Sequence, residues 1–228
     1  MMTAKQLAEK AEYIARHCKS VYMWGVVCSP VTEQLVRDKS GQYKSWYTSA
    51  QQKRFRSLIG KGYWGCDCVC LIKAILWGWT GANVSLGGAK YASNGVPDIN
   101  ADTMISVCKD VSTDFSKIEV GEALWMPGHI GVYIGNGLGV ECTPAFADGI
   151  QVTAVGNIGC KATYPTRVWK KHGKLPYVTY EPAKIDAAYE AAKQTLRAKV
   201  GLAETTIQYL AAYKYGKDLI TKLAAAVK

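Results

Sequence analysis

Apolar and polar positions follow two different rhythms along this chain. Residues 3–18 read as an amphipathic helix. Val21 to Val27 is apolar and aromatic and holds Tyr22 and Trp24. A polar stretch with Tyr43, Trp46 and Tyr47 then runs to Lys61, with room for one helix around Ser49–Ile59. Cys68 to Trp79 is strongly apolar without polar alternation, which predicts a buried helix. Gly78, Gly81, Gly87 and Gly88 mark loops, and Ile99 to Cys108 predicts a further short helix.

From Glu119 onward the rhythm is that of strands. Ala123–Met126 is a short strand stopped by Pro127-Gly128, and His129 to Ile134 alternates and is β-branched. Gly135-Asn136-Gly137 is a hairpin signal, because its central residues can take positive φ. Leu138–Glu141 is the returning strand, and Ile150–Ala154 and Arg167–Lys170 predict two more. Helices first and antiparallel strands second predict an α+β fold with a central antiparallel sheet.

Pro176 and Pro182 mark a linker, and the alanine-rich tail beyond it returns to helical spacing. Ile185, Tyr189, Ala192, Leu196 and Val200 form one helical stripe, ended by Gly201. Ile207, Leu210 and Ala211 mark a second helix, and Leu219, Ile220, Leu223 and Val227 a third. The expected organisation is a domain over 1–175, a linker over 176–183 and a helical module over 184–228. That module would serve in targeting, as a homodimer contact or in packing on the main domain.

Charge and cysteine content narrow the classes. The net charge is +10, and residues 37–61 hold seven cations against one acid, Asp38. Such a surface is either a solvated face or a contact for polyanions. No nucleic-acid-binding motif is present, so no nucleic acid partner is expected. No run of 18 apolar residues exists, so no membrane-spanning helix and no stable membrane insertion are expected. Met1–Lys10 has neither an apolar core nor a cleavage site, so no secretory signal is expected. Eight cysteines are present, three of them at 66, 68 and 70. Cys-x-Cys pairs close strained loops and no export signal is read, so reduced thiols are expected rather than disulfides.

Two segments carry chemistry. Cys68 opens the apolar helix, where a helix N-terminus and a nearby imidazolium would lower a thiol's pKa. Its backbone N–H and that of a neighbour would face the oxyanion of a tetrahedral intermediate. The alternative makes Cys66, Cys68 and Cys70 ordinary buried cysteines. Their spacing does not suit zinc, so no metal or cofactor is expected. Of the three histidines, His17 is expected in solvent and His172 in a basic run near a domain edge. His129 alone enters an apolar strand after a tight turn. Pairing across Asn136-Gly137 places Glu141 beside the start of that strand, where a carboxylate would orient the imidazole and stabilise its cation.

Asp67-Cys68-Val69-x-Leu71-Ile72 and Gly121-Glu122-Ala123-Leu124-Trp125-Met126-Pro127-Gly128-His129-Ile130-Gly131-Val132-Tyr133-Ile134-Gly135-Asn136-Gly137 resemble the NlpC-type, papain-like cysteine peptidases that hydrolyse bacterial cell-wall peptides. Tyr22-Met23-Trp24-Gly25 resembles the family's Tyr-x-x-Gly element. The resemblance implies a papain-like domain with Cys68 as nucleophile, His129 as general base and Glu141 as third residue. Tyr22, Trp24, Asp67 and Trp125 would contact substrate. Glu141 departs from the histidine, asparagine or glutamine usual there, and Cys70 replaces a usual glycine. The stretch from Cys28 to Gly65 is longer than the family pattern and is expected to contribute to the substrate groove or a wall-facing surface.

The implied reaction is hydrolysis of an amide in the peptidoglycan stem peptide, between γ-D-glutamate and the diamino acid. The implied partners are peptidoglycan and anionic wall polymers. A wall hydrolase read without a signal fits a phage endolysin, made in the bacterial cytoplasm and released to the wall at lysis. The alternatives are an N-acetylmuramoyl-L-alanine amidase of the same fold and a non-catalytic wall-binding or structural phage protein.

Overall fold

Thr3 starts the first helix by a reciprocal cap: its hydroxyl accepts from Gln6 N–H while the Gln6 side chain accepts from Thr3 N–H. In the structure, a computed structural model that describes residues 1–180, 187–211 and 216–227, this helix is α1 (Ala4–His17). It buries Leu7, Ala8, Ala11 and Ile14. Two units divide the chain, Met1–Tyr180 and Glu181–Lys228.

In the first unit, β1 (Ser20–Tyr22), β2 (Ser29–Pro30) and β3 (Trp64–Cys66) make a small sheet in the order β1-β3-β2. Between β2 and β3 lie α2 (Glu33–Gln42) and α3 (Ser49–Arg56), packed over Val36, Tyr47 and Phe55. The sequence pattern predicts only α3 here. A single residue of α2, Val36, is buried, so the helix leaves no apolar stripe to read. Helix α4 (Cys68–Leu76) is buried at all nine positions, Lys73 included, whose ammonium pairs with Asp98. Full burial of each large apolar side chain contributes about 1.5–3 kcal/mol, which fixes α4 against the sheet. A short 3-10 turn (Ser85–Gly88) and α5 (Ala101–Ser106), capped by Asn100, follow.

The main sheet contains β4 (Lys109–Ser112), β5 (Ala123–Met126), β6 (His129–Gly135), β7 (Leu138–Thr143), β8 (Gly149–Val155), β9 (Thr166–Arg167) and β10 (Lys171–Lys174). Their order is β4-β10-β5-β6-β7-β8-β9. The fold is α+β, with eight α-helices among the described residues. The sheet is mixed rather than wholly antiparallel. The loop Gly156–Pro165 returns the chain so that β9 runs parallel to β8. Asn136 and Gly137 both take positive φ, 53° and 74°, and close β6 onto β7 as a two-residue turn. One face of the sheet, with Ile130, Val132, Val140 and Cys142, packs in the main core with α1 and α4. The other carries a smaller cluster around Leu124, Tyr133, Val155 and Trp169.

Two further expectations are corrected. Residues 168–170 are not strand: the Asn157 side chain accepts from Trp169 N–H at 2.8 Å and donates to Trp169 C=O at 3.0 Å, replacing a strand neighbour. The expected linker is tied down over 176–180. Thr179 pairs with Thr3, and the Tyr180 hydroxyl accepts from Leu175 N–H and donates to Gly121 C=O. Residues 181–183 of that linker, and Ile185 of the first tail stripe, lie outside the described residues.

The second unit contains α6 (Ala187–Val200), α7 (Glu204–Ala211) and α8 (Gly216–Ala226). Ala192, Leu196, Ile207, Ile220 and Ala224 form its core. Leu219 and Leu223 face outward, so the inner stripe of α8 is narrower than its apolar content predicts.

Candidate active site

Asp67 builds the start of α4. One carboxylate oxygen accepts from Cys70 N–H at 2.8 Å and the other from Gly25 N–H at 2.9 Å. The first contact caps the helix, and the second ties down the turn after Tyr22. Cys68 is thereby fixed as the first helical residue. The N–H groups of Ile130 and Val69 lie near enough to its sulfur to favour the thiolate. Ile130 follows His129, so the thiol lies against the backbone of the strand that His129 opens.

The Cys68 thiol is shifted up, opposite to the direction expected at a helix start. Burial, and after it the Asp67 carboxylate, push the Cys68 thiol up to about 12; the Ile130 and Val69 N–H groups oppose this. Only 6 % of Cys68 is exposed, and loss of solvation outweighs the helix start. Burial likewise pushes the Tyr22 phenol up, with Cys68 and Asp67 adding to the effect, so the phenol keeps its proton.

His129 and Glu141 meet with Nε2 and Oε2 2.7 Å apart. The register Gly131↔Glu141 puts both side chains on one sheet face, two residues apart along β6. Gly131 provides the room between them. A Cβ there would stand 2.7 Å from Val140 O, 3.2 Å from the Trp169 ring and 3.4 Å from Glu141 Cβ. Trp169 stacks on the imidazole, with centroids 5.5 Å apart and planes within 7°.

Glu141 is completely buried. Burial alone would raise its carboxyl, but hydrogen bonds from His129 and Arg167 outweigh this and hold it below the usual range. Thr153 Oγ1 donates to Oε1 at 2.9 Å. Arg167 donates from Nε to both oxygens at 3.1 Å and from Nη2 to Oε2 at 2.8 Å. An ionised carboxylate only accepts, so Nε2 of His129 carries a hydrogen, and in the neutral ring Nδ1 presents a lone pair. Nδ1 has no hydrogen bond among the described residues.

A cavity of about 760 Å³ opens on Cys68. Tyr22, Trp24, Asp67, Lys73, Asp98 and Asp102 are on its wall, with Gly128 at the end nearest His129. Leu35, Asp38, Lys39 and Gln42 bring α2 onto that wall, so the long Cys28–Gly65 stretch forms part of the groove. His129 and Glu141 are not among the lining residues. Trp125 is not either: its indole N–H donates to Asp102 Oδ1 at 2.9 Å, the same oxygen that accepts from Gly128 N–H at 2.8 Å. Asp102 thus holds the turn that delivers His129.

All eight cysteines are free. Cys28 and Cys66 sulfurs lie 2.7 Å apart, and the Cys142 thiol donates to Cys66 C=O at 3.1 Å. Burial raises the Cys66 thiol, yet its contacts with Cys142 and Cys28 outweigh this and hold it below its ordinary value. Cys66 is fully buried and absent from the cavity wall. No group of three or more His, Cys, Asp or Glu side chains among the described residues could hold a metal ion. No helix among them is long and apolar enough to cross a membrane.

His17 is exposed, with Nδ1 2.9 Å from Tyr13 C=O. His172 is not at a solvated edge. It is 3 % exposed on β10, its Nδ1 bonded to Glu122 Oε2 and its Nε2 3.0 Å from Asp114 C=O. Arg167, Thr153, Trp169 and Asp102 are missed by sequence reasoning. Each reaches the site through tertiary contact, with no motif of its own. Compared with known proteins, the chain matches no family model and no curated protein.

Proposed function

We propose that the first unit is a papain-like, NlpC-type cysteine hydrolase that cleaves the stem-peptide amide of peptidoglycan between γ-D-glutamate and the diamino acid. One junction carries this: Cys68 at the start of α4 lies against the backbone that follows His129, whose Nε2 is held by the buried Glu141. The candidate nucleophile thus opens on a cavity large enough for a peptide and lies against the residue that follows the candidate base, which its carboxylate orients.

Catalysis begins from a protonated thiol. His129 Nδ1 takes the Cys68 proton as sulfur adds to the carbonyl carbon, and Glu141 stabilises the resulting imidazolium. The Cys68 N–H, one of the helix-start groups without an intrahelical partner, donates to the oxyanion. Collapse expels the amine, which leaves with the proton from His129. Water then gives a proton to His129 and hydrolyses the thioester, and Cys68 recovers its proton.

The separate helical unit fits a targeting or oligomerising module, and the order of the two units fits an endolysin. The cations of residues 37–61 favour contact with anionic wall polymers. The test is mass spectrometry of fragments released from purified peptidoglycan by the full chain. New ends between γ-glutamate and the diamino acid are expected. Free lactyl ends would assign the amidase instead, and no release from walls of several chemotypes would favour the wall-binding alternative.

A further inference from the structure

Glu141 is more basic machinery than an orienting group needs to be, because a full carboxylate 2.7 Å from an imidazole favours the ring's protonated form. A ring already protonated cannot accept the proton of Cys68, which rests as a thiol. Arg167 addresses this conflict. Its guanidinium grips Glu141 as a fork, and Nη2 donates at 2.8 Å to the very oxygen that meets His129. The side chain is held over the Phe146 ring at 4.9 Å, and Nη2 lies 3.3 Å from Thr143 Oγ1.

We propose that Arg167 is a positioning residue that sets the proton affinity of the His129–Glu141 pair, so that the ring is free to take a proton from Cys68 at working pH. Its catalytic meaning rests on the hydrolase assignment above. Arginine and glutamate together are close to neutral, so His129 receives a directional acceptor without a full opposing charge. The other groups around the pair do not replace it. Thr153 on β8 is neutral, Cys68 on α4 is protonated, and Asp102 on α5 acts on the Gly128 turn. No cation besides Arg167 contacts Glu141 among the described residues, apart from His129 itself when protonated.

The test is a ring titration of His129 by NMR in the full chain, assigned by the signal lost in His129→Gln, alongside the pH profile of wall hydrolysis. Arg167→Met should move the titration midpoint up by about one pH unit or more relative to wild type. It should move the acid limb of the rate by the same amount, about tenfold in rate on that limb. Arg167→Lys, which keeps the charge without the fork, should restore most of the shift. If Arg167→Met does not fold, Arg167→Gln makes the same measurement with a hydrogen bond retained. An unmoved midpoint overturns the proposal, as does a rate loss equal at every pH. The ring titration needs no substrate: a moved midpoint with no wall hydrolysis by wild type would leave Arg167 its role and reject the hydrolase assignment.

Discussion

His129 and Glu141 meet between β6 and β7, while His172 on β10 meets Glu122 just ahead of β5. Both pairs lie in the main sheet of the first unit and both carboxylates are nearly or fully buried. At His172 both ring nitrogens are engaged, one by Glu122 and one by the Asp114 carbonyl, and the Phe115 ring is 4.9 Å away. No lone pair is left for chemistry, although Cys108 stands against the next residue, Gly173, its Cβ 2.9 Å from where a Cβ of that glycine would lie. His129 spends one nitrogen on Glu141 and keeps the other, with Cys68 against the next residue. A histidine–carboxylate contact by itself therefore marks a stable junction; a spare nitrogen beside a nucleophile marks a candidate site.

The sharpest way to break this comparison is to remove each histidine. His129→Ala should lower turnover by about 10²–10⁴ with little change in stability. His172→Ala leaves Glu122 buried without its partner, so it should cost about 3–5 kcal/mol of stability while turnover per folded molecule persists. Urea unfolding and wall-hydrolysis rates measured on both variants decide it, and an exchange of the two outcomes would reverse the roles.

Glu141→Gln comes next. It keeps shape and loses charge, so turnover should fall by about tenfold to a hundredfold with substrate affinity nearly intact. Unchanged turnover would remove Glu141 from the site. Gly131→Ala should cost about 1–3 kcal/mol and move His129 away from its carboxylate, because its Cβ would meet Val140 O at 2.7 Å. A variant with wild-type stability and rate would show that the hairpin tolerates the extra methyl.

The smallest effect concerns acid stability. Glu141 is held below its unfolded value despite burial, through His129 and Arg167. As pH falls, the unfolded chain binds this proton first, at a value near 4.3. The contribution is full above that value and is lost as pH drops through the folded value. The stability difference between wild type and Glu141→Gln should therefore shrink on acidification. A difference independent of pH would contradict the charge state assigned to Glu141.

The parts of the fold that were legible are those with strong local signals. Asn136-Gly137 fixes a two-residue turn, and once that turn is set the period of two brings Glu141 beside His129. The apolar run after Asp67 fixes α4. Helix α2 exposes most of its surface, and β3 has three residues, so neither leaves a period to count. His172 misleads because Lys170, Lys171 and Lys174 surround it with charge; strand alternation nevertheless turns it inward. Arg167 lies on a two-residue strand whose partner is β8 and whose side chain meets Glu141 on β7, a contact that no spacing along the chain encodes. The raised Cys68 thiol was equally hidden, since it follows from closure of the tertiary structure over the helix start.

The most direct test of the central claim compares peptidoglycan digestion by wild type and by Cys68→Ala at equal folded concentration, with soluble fragments read by mass spectrometry. Thiol-dependent hydrolysis predicts new peptide ends from wild type and none from Cys68→Ala. The same ends released by Cys68→Ala would contradict the assignment of Cys68 as the nucleophile.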